Sequence, residues 1–270
     1  MICEVNGHQA HAATGGVDLA NDEERAQWPA LILIHGAGMD ATVWQLQTRY
    51  LAHHGFRTMA VDLPGHGRSE GDPLSTIGEM ADWLASFIEV SGEAPAALVG
   101  HSMGTFIALE VAARRPDLVS SIVLLGTANA MPVHPDLLTS ADQNLPDAAA
   151  LMASWSLAKP AHIGLNPTPG LWMLGGARAL VEVSQAGALV ADFGACTSYD
   201  GAAAAAAEVS CSVAIGVGAG DKMTPPRAAA KLIEHLTDPT VVELADTGHM
   251  MMVENPRAIR KLLLDALQPA

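Results

Sequence analysis

The chain is short of cysteine, of positive charge and of long apolar runs, and each shortage removes a class of function. Three cysteines in 270 residues (Cys3, Cys196 and Cys211) form an odd set without metal-ligand spacing. Free thiols in a reducing, cytoplasmic compartment are therefore expected, with no disulfide framework and no metal site. Only 14 Lys and Arg stand against 29 Asp and Glu, a net charge of −15. A surface of that sign repels nucleic acid and anionic membranes, so neither is expected as a partner. No apolar stretch approaches the ~20 residues that span a bilayer. The opening Met1-Ile-Cys-Glu-Val-Asn-Gly7 has no basic segment followed by an apolar core, so no signal peptide is expected.

What is present is a globular composition, half hydrophobic and 16% charged, at a length that suits one large domain or one domain with an insertion. Asn6-Gly7 between two short extended runs predicts a hairpin. Apolar runs at Leu31–Ile34, Arg57–Asp62, Ala96–Val99, Ser121–Leu125, Val213–Val217 and Val241–Leu244 predict strands. Helical patterns follow them, at 43–53, from a Thr76/Glu79 capping box to about 90, at 105–114, after Pro226 and from Pro256 to Leu267. Strands alternating with helices imply a mostly parallel sheet covered on both faces. Between about 128 and 208 the alternation stops. Six prolines (132, 135, 146, 160, 167 and 169) punctuate helical pieces there, and Asp200 is placed to cap the alanine run 202–207. Residues 129–208 are therefore expected to form a helical cap over a core made of 1–128 and 209–270.

Gly100-His101-Ser102-Met103-Gly104 stands between a predicted strand and a predicted helix, the context in which a G-x-S-x-G pentapeptide presents a serine nucleophile. Such a serine stands clear of the backbone only if the chain turns sharply, and strand and helix then pass too close for a Cβ two residues to either side. Ser102 needs a base, and the base needs an orienting group. Among eleven histidines, His249 follows the final predicted strand in Asp246-Thr-Gly-His249, and its placement selects it. Asp221, after Gly216-Val-Gly-Ala-Gly220 at the end of the preceding strand, is the candidate acid; Asp246 is too close along one loop. The oxyanion of an acyl-transfer intermediate needs two donors. The Met103 N–H is one, and the loop His35-Gly36-Ala37-Gly38-Met39 supplies the other, by position the Ala37 N–H with Gly38 as its nearest rival.

Together with Asp62-Leu-Pro-Gly-His-Gly-Arg-Ser69, these motifs resemble the α/β-hydrolase family over roughly 25–128 and 210–268. The resemblance implies an eight-stranded, mostly parallel sheet flanked by helices, a cap after strand six, a Ser102–His249–Asp221 triad and a structural role for 62–69. Gly38, Met39, Trp155, Trp172 and Met250, with Met103, Met152, Met173 and Leu174, are candidate pocket walls. His162 is a weaker candidate for substrate contact.

These readings converge on a serine hydrolase that cleaves a carboxylic ester or related acyl bond of a small, apolar substrate without a cofactor. Perhydrolysis or haloperoxidase chemistry, lactone opening, C–C hydrolysis and acyl transfer use the same groups. Met250 after His249 counts mildly against the C–C enzymes, which often carry Trp there. A non-catalytic binding protein would have no reason to keep the full set.

Overall fold

Residues 1–164 and 170–267 are described by a computed structural model. Pro167 and Pro169 of the predicted insertion lie outside the described residues. The strands are β1 (Ile2–Val5), β2 (His8–Ala13), β3 (Ala30–Ile34), β4 (Arg57–Val61), β5 (Ala96–His101), β6 (Val119–Leu125), β7 (Ser212–Gly218) and β8 (Thr240–Leu244). The helices run α1 (Gln45–Ala52), α2 (Ile77–Ser91), α3 (Met103–Arg114), α4 (Pro135–Gln143), α5 (Leu145–Ser156), α6 (Lys159–His162), α7 (Met173–Glu182), α8 (Ala188–Ser198), α9 (Ala202–Glu208), α10 (Pro226–Ile233), α11 (Met251–Glu254) and α12 (Pro256–Leu267).

The eight strands form one sheet in the order β1-β2-β4-β3-β5-β6-β7-β8. The β1–β2 hairpin turns at Asn6 and Gly7, both with positive φ, and pairs antiparallel to β4; every other pairing is parallel. Strand side chains alternate between two apolar clusters, as a two-period backbone requires. Ile32, Ile34, Leu98, Ile122 and Leu124 share one cluster with Leu84 of α2 and Phe106 of α3. Leu31, Leu33, Val99, Val123 and Leu125 share the other with Leu51 of α1 and Leu263 of α12. Helices thus cover both faces of the sheet and seal strands that are apolar on both sides.

Chain direction across the sheet reverses at β3, whose neighbours are β4 on one side and β5 on the other. In open parallel sheets the carboxyl edge at such a reversal is where ligands bind. Loops 35–39, 102, 219–225 and 245–250 all leave the sheet at that edge. The segment from β6 to β7 carries α4–α9 and, among the described residues, no strand. The last of these helices, α9, packs against α3.

Local signals account for most boundaries. Thr76 and Glu79 form the reciprocal cap at the start of α2, and Gly92 ends that helix in the left-handed conformation. Two expectations are corrected. The helix predicted from Val43 begins as a 3-10 turn at Ala41–Trp44, because the Asp40 carboxylate accepts the Thr42 N–H and tightens that turn before α1. Asp200 does not cap α9: the helix starts at Ala202, as the alanine run suggested, so the capping position falls on Gly201, one residue after Asp200, and no side chain caps the helix.

Candidate active site

Ser102 terminates β5 with φ +52 and ψ −118 and immediately precedes α3. A non-glycine residue in that region costs about 1–3 kcal/mol and persists only where its surroundings enforce it. Here the Ser102 N–H donates to the Leu125 carbonyl of β6 at 2.9 Å, and the Ser102 carbonyl accepts the Thr105 N–H at 2.8 Å and the Thr105 hydroxyl at 2.7 Å. The flanking glycines are forced by contact. A Cβ on Gly100 would lie 2.2 Å from the Gly104 carbonyl oxygen, and one on Gly104 would lie 2.6 Å from that of Ile34. The turn lifts Ser102 to partial exposure at the floor of a cavity of about 640 Å³.

His249 borders the same cavity and is 1% exposed. Its Nδ1–H donates to Asp221 Oδ2 at 2.8 Å. That carboxylate is fully engaged: Oδ1 accepts the N–H groups of Met223 and Thr224 at 2.8 and 2.9 Å, and Oδ2 also accepts the Thr224 hydroxyl at 2.8 Å. Burial alone would raise the Asp221 pKa, but the neighbouring His249 charge and these hydrogen bonds outweigh it and hold the carboxyl below its usual range. Asp221 is therefore ionised at neutral pH. With Nδ1 committed to Asp221, the other ring nitrogen of His249 is left to act as a base. Ser102 and His249 share the cavity without a hydrogen bond between them.

The loop carrying His249 is held from three sides. Its N–H donates to the Ser156 carbonyl of α5 at 2.6 Å. Its carbonyl accepts from His101 Nε2 at 3.0 Å. The buried Glu254 accepts the Gly248 N–H through both oxygens at 3.1 Å and the Ala158 N–H at 2.8 Å. His101 is fully buried with Nδ1 unpartnered, and burial, then the neighbouring His249, lowers its pKa to about 3, so it stays neutral.

Two backbone donors remain. Among the described residues the Ala37 and Met103 N–H groups have no hydrogen-bond partner. The Gly38 N–H, the rival donor, is occupied: it donates to Asp192 of α8 at 2.7 Å. Ala37 borders the cavity whereas Gly38 does not.

Of the predicted walls, Met39, Met152, Trp155 and Met250 line the cavity. Trp172 does not. It precedes α7 with its ring over Gly175 and is 73% exposed, while its neighbour Met173 takes the buried position at that end of the helix. Met103, Met173 and Leu174 also stand away from the cavity, and the Met103 side chain is fully buried. Nor does His162 reach the cavity: Nε2 lies 3.2 Å from the Leu157 carbonyl. The insertion supplies the remaining apolar wall through Met131, Leu137, Val181 and Phe193, and Lys222 is the one Lys, Arg, Asp or Glu among the lining residues described. The Asp62 turn is structural in its contacts, its carboxylate accepting the N–H groups of Ala41 and Arg68 and bonding His11 Nδ1. Among the described residues no His, Cys, Asp and Glu cluster could hold a metal ion, and no helix is long and apolar enough to cross a membrane.

Sequence reasoning missed Thr224, Glu254, Ser156 and Asp192. Thr224 carries a faint signal, three residues after an aspartate and ahead of two prolines. The others reach partners 93 to 154 residues away along the chain, which leaves no local trace.

Comparison with known proteins agrees with this architecture. The chain is 29% identical to a pimeloyl-[acyl-carrier protein] methyl ester esterase of Chromobacterium violaceum, over 91% of this chain and 97% of that one. It is 36% identical to an (E)-2-((N-methylformamido)methylene)succinate hydrolase of Acinetobacter baylyi, a match that spans only 38% of this chain and 39% of its relative. Among solved structures, an enol-lactonase of Burkholderia xenovorans superposes with a TM-score of 0.85 at 22% identity, covering 99% of both chains. A thermophilic esterase of Thermogutta terrifontis gives 0.82 at 20% identity, covering 98% of this chain and 97% of that one. The model of the alpha/beta hydrolase family matches residues 31–262, and the chain belongs to that family.

Proposed function

We propose that this chain is a serine hydrolase that cleaves a carboxylic ester, or a closely related acyl bond, of a small and largely apolar substrate. Ser102, Asp221 and His249 form its triad, and residues 129–208 form a cap that shapes the pocket. The observation that carries the reading is the meeting of three features: a strained serine at a helix N-terminus, a buried histidine on the same cavity paired with an ionised aspartate, and two unengaged backbone N–H groups, that of Ala37 on the cavity and that of Met103 next to Ser102 in the chain.

The chemistry follows from the atoms. His249 accepts the Ser102 hydroxyl proton as Oγ attacks the acyl carbon, and Asp221 stabilises the imidazolium that forms. The Ala37 and Met103 N–H groups donate to the oxyanion, and the α3 N-terminus adds its partial positive charge. Collapse expels the alcohol, which takes the proton from His249. Water then attacks the acyl-enzyme by the same route in reverse. No step calls for a cofactor. Apolar walls around a few convergent polar groups suit an apolar acyl or alcohol moiety, and the volume suits a small molecule. The ester-cleaving names of the relatives support the same class. The three unpaired cysteines agree with a reducing, cytoplasmic setting.

The test is hydrolysis of p-nitrophenyl esters from acetate to decanoate by the wild type and Ser102→Ala, with phosphonate labelling of the intact protein. Activity lost by at least a thousandfold in the variant, and label on Ser102, are expected. Label elsewhere, or an active variant, would refute the assignment.

A further inference from the structure

Asp192 is a carboxylate with no solvent exposure, placed on α8 among apolar neighbours. A charge in such a site costs several kcal/mol unless it is paired and hydrogen-bonded. Its partners come from two loops of the sheet edge. Oδ2 accepts the Gly38 N–H at 2.7 Å and lies 2.9 Å from His66 Nε2, while Oδ1 has no partner among the described residues. The other nitrogen of His66 lies 3.0 Å from the Pro64 carbonyl. Both neighbours of that ring are acceptors, so the imidazolium form alone satisfies both. Burial opposes the charge on His66, but the hydrogen bond and charge of Asp192 prevail and raise its pKa. An ion pair thus joins the insertion to the turn after β4.

This pair grips the loop of the second oxyanion donor. Peptide units are planar, so pinning one end of a unit orients the other. In the unit joining residues 36 and 37, the Gly36 carbonyl accepts from His35 Nδ1 at 2.9 Å and from the Met39 N–H at 3.2 Å. The Ala37 N–H on the far side of that plane points elsewhere and stays free. In the unit joining 37 and 38, the Gly38 N–H is drawn toward α8, which sends the Ala37 carbonyl the opposite way. Leu189, one turn before Asp192, closes against the same spot: a Cβ on Gly38, whose φ is +65, would come within 2.6 Å of Leu189 Cδ1.

We propose that Asp192 is a positioning residue of the oxyanion hole: by accepting the Gly38 N–H, this carboxylate of the insertion fixes the 37–38 peptide and so clamps the far side of Ala37, whose N–H lies in the adjoining 36–37 peptide held through the Gly36 carbonyl. The proposal rests on the serine-hydrolase reading and on Ala37 as a donor. It makes transition-state stabilisation in the core depend on an insertion residue that does not border the cavity.

The test compares Asp192→Asn, which keeps an oxygen acceptor but loses the charge, with Asp192→Ala, which loses both. Should Asp192→Ala fail to fold, the volume-filling Asp192→Leu replaces it. Readouts are kcat and KM on the best p-nitrophenyl ester, and the rate of Ser102 phosphonylation, which builds the same oxyanion contact. Asp192→Ala or Asp192→Leu is expected to lower kcat and phosphonylation by about 10–100-fold, below the ~10²–10³ of deleting a donor outright. KM should move less than threefold, and Asp192→Asn should recover to within fivefold of the wild type. Equal losses in Asp192→Asn and Asp192→Ala, or a change in KM alone, would overturn the proposal. Failure of the hydrolase reading looks different: the wild type itself would be unlabelled at Ser102.

Discussion

Two buried histidines, His35 and His101, make the fold sensitive to mild acid. Both are fully buried and hold fixed tautomers. His35 Nδ1 donates to the Gly36 carbonyl while Nε2 accepts the Leu63 N–H, and His101 Nε2 donates to the His249 carbonyl. Burial first, and neighbouring imidazoles second, lower their pKa values to about 4 and about 3. Unfolded, both titrate near 6.5, so between pH 6.5 and 4.5 the unfolded chain binds protons that the native chain refuses. Stability is then complete above 6.5 and falls as the pH drops, at about 1.4 kcal/mol per unit for each group. Over those two units the pair removes roughly 3–5 kcal/mol, a large share of a typical 5–15. His66 does not contribute to this slope. Its raised pKa keeps it protonated in both states below 6.5, and its stabilisation is lost only as the pH climbs through the folded value. The assay is urea unfolding at pH 6.5, 5.5 and 4.5. With m of ~3 kcal/mol/M, the midpoint should fall by roughly 1–1.7 M. His101→Gln, neutral at every pH, should show a slope smaller than that of the wild type by about 1.4 kcal/mol per pH unit, since the acidic background cancels in the difference. An unchanged slope in that variant would refute the burial argument.

Three further outcomes are expected. Gly104→Ala drives a Cβ onto the carbonyl oxygens of Ile34 and His35, at 2.6 and 2.8 Å, and should cost at least about 3 kcal/mol; a melting temperature within 2 °C of the wild type would contradict this. Thr224→Val removes one of the two hydrogen bonds to Asp221 Oδ2 and should lower kcat about 3–10-fold at constant KM; a rise in KM alone would place Thr224 in substrate binding instead. Glu254→Gln turns an amide NH2 toward the Gly248 or Ala158 N–H and should cost about 2 kcal/mol in thermal unfolding, with a loss of kcat; unchanged stability and rate would show that the His249 loop holds itself.

How far the sequence could be read depended on how local each determinant was. Gly100 and Gly104 announced the elbow because the clash they avoid is within a few residues and one neighbouring strand. The Thr76–Glu79 cap and the Asn6-Gly7 turn were legible for the same reason. That Ser102 and His249 meet at one cavity, with Asp221 bonded to His249, was legible through chain order and strand ends, since loops at one sheet edge must converge. Which side chains of the insertion face the cavity was not. Trp172 looked like a wall because it is large and apolar, yet which side of a short helix faces a cavity is decided by packing partners far along the chain. Asp192 looked like any acidic residue on a helix; only Gly38, 154 positions away, gives it a role.

Strands β6 and β7 are direct parallel neighbours, so the sheet itself requires only an ordinary crossover between them. By that measure residues 126–211 would be freely exchangeable, and specificity could be reprogrammed by transplanting another enzyme's helices. The bonds from Ser156 and Ala158 to the His249 loop make the joint less modular. A graft that ignored them would leave the sheet intact and the His249 loop adrift. Successful exchange would have to keep the short stretch from Ser156 to Ala158 in place and vary the helices around it, which also marks where divergence within this architecture is least costly.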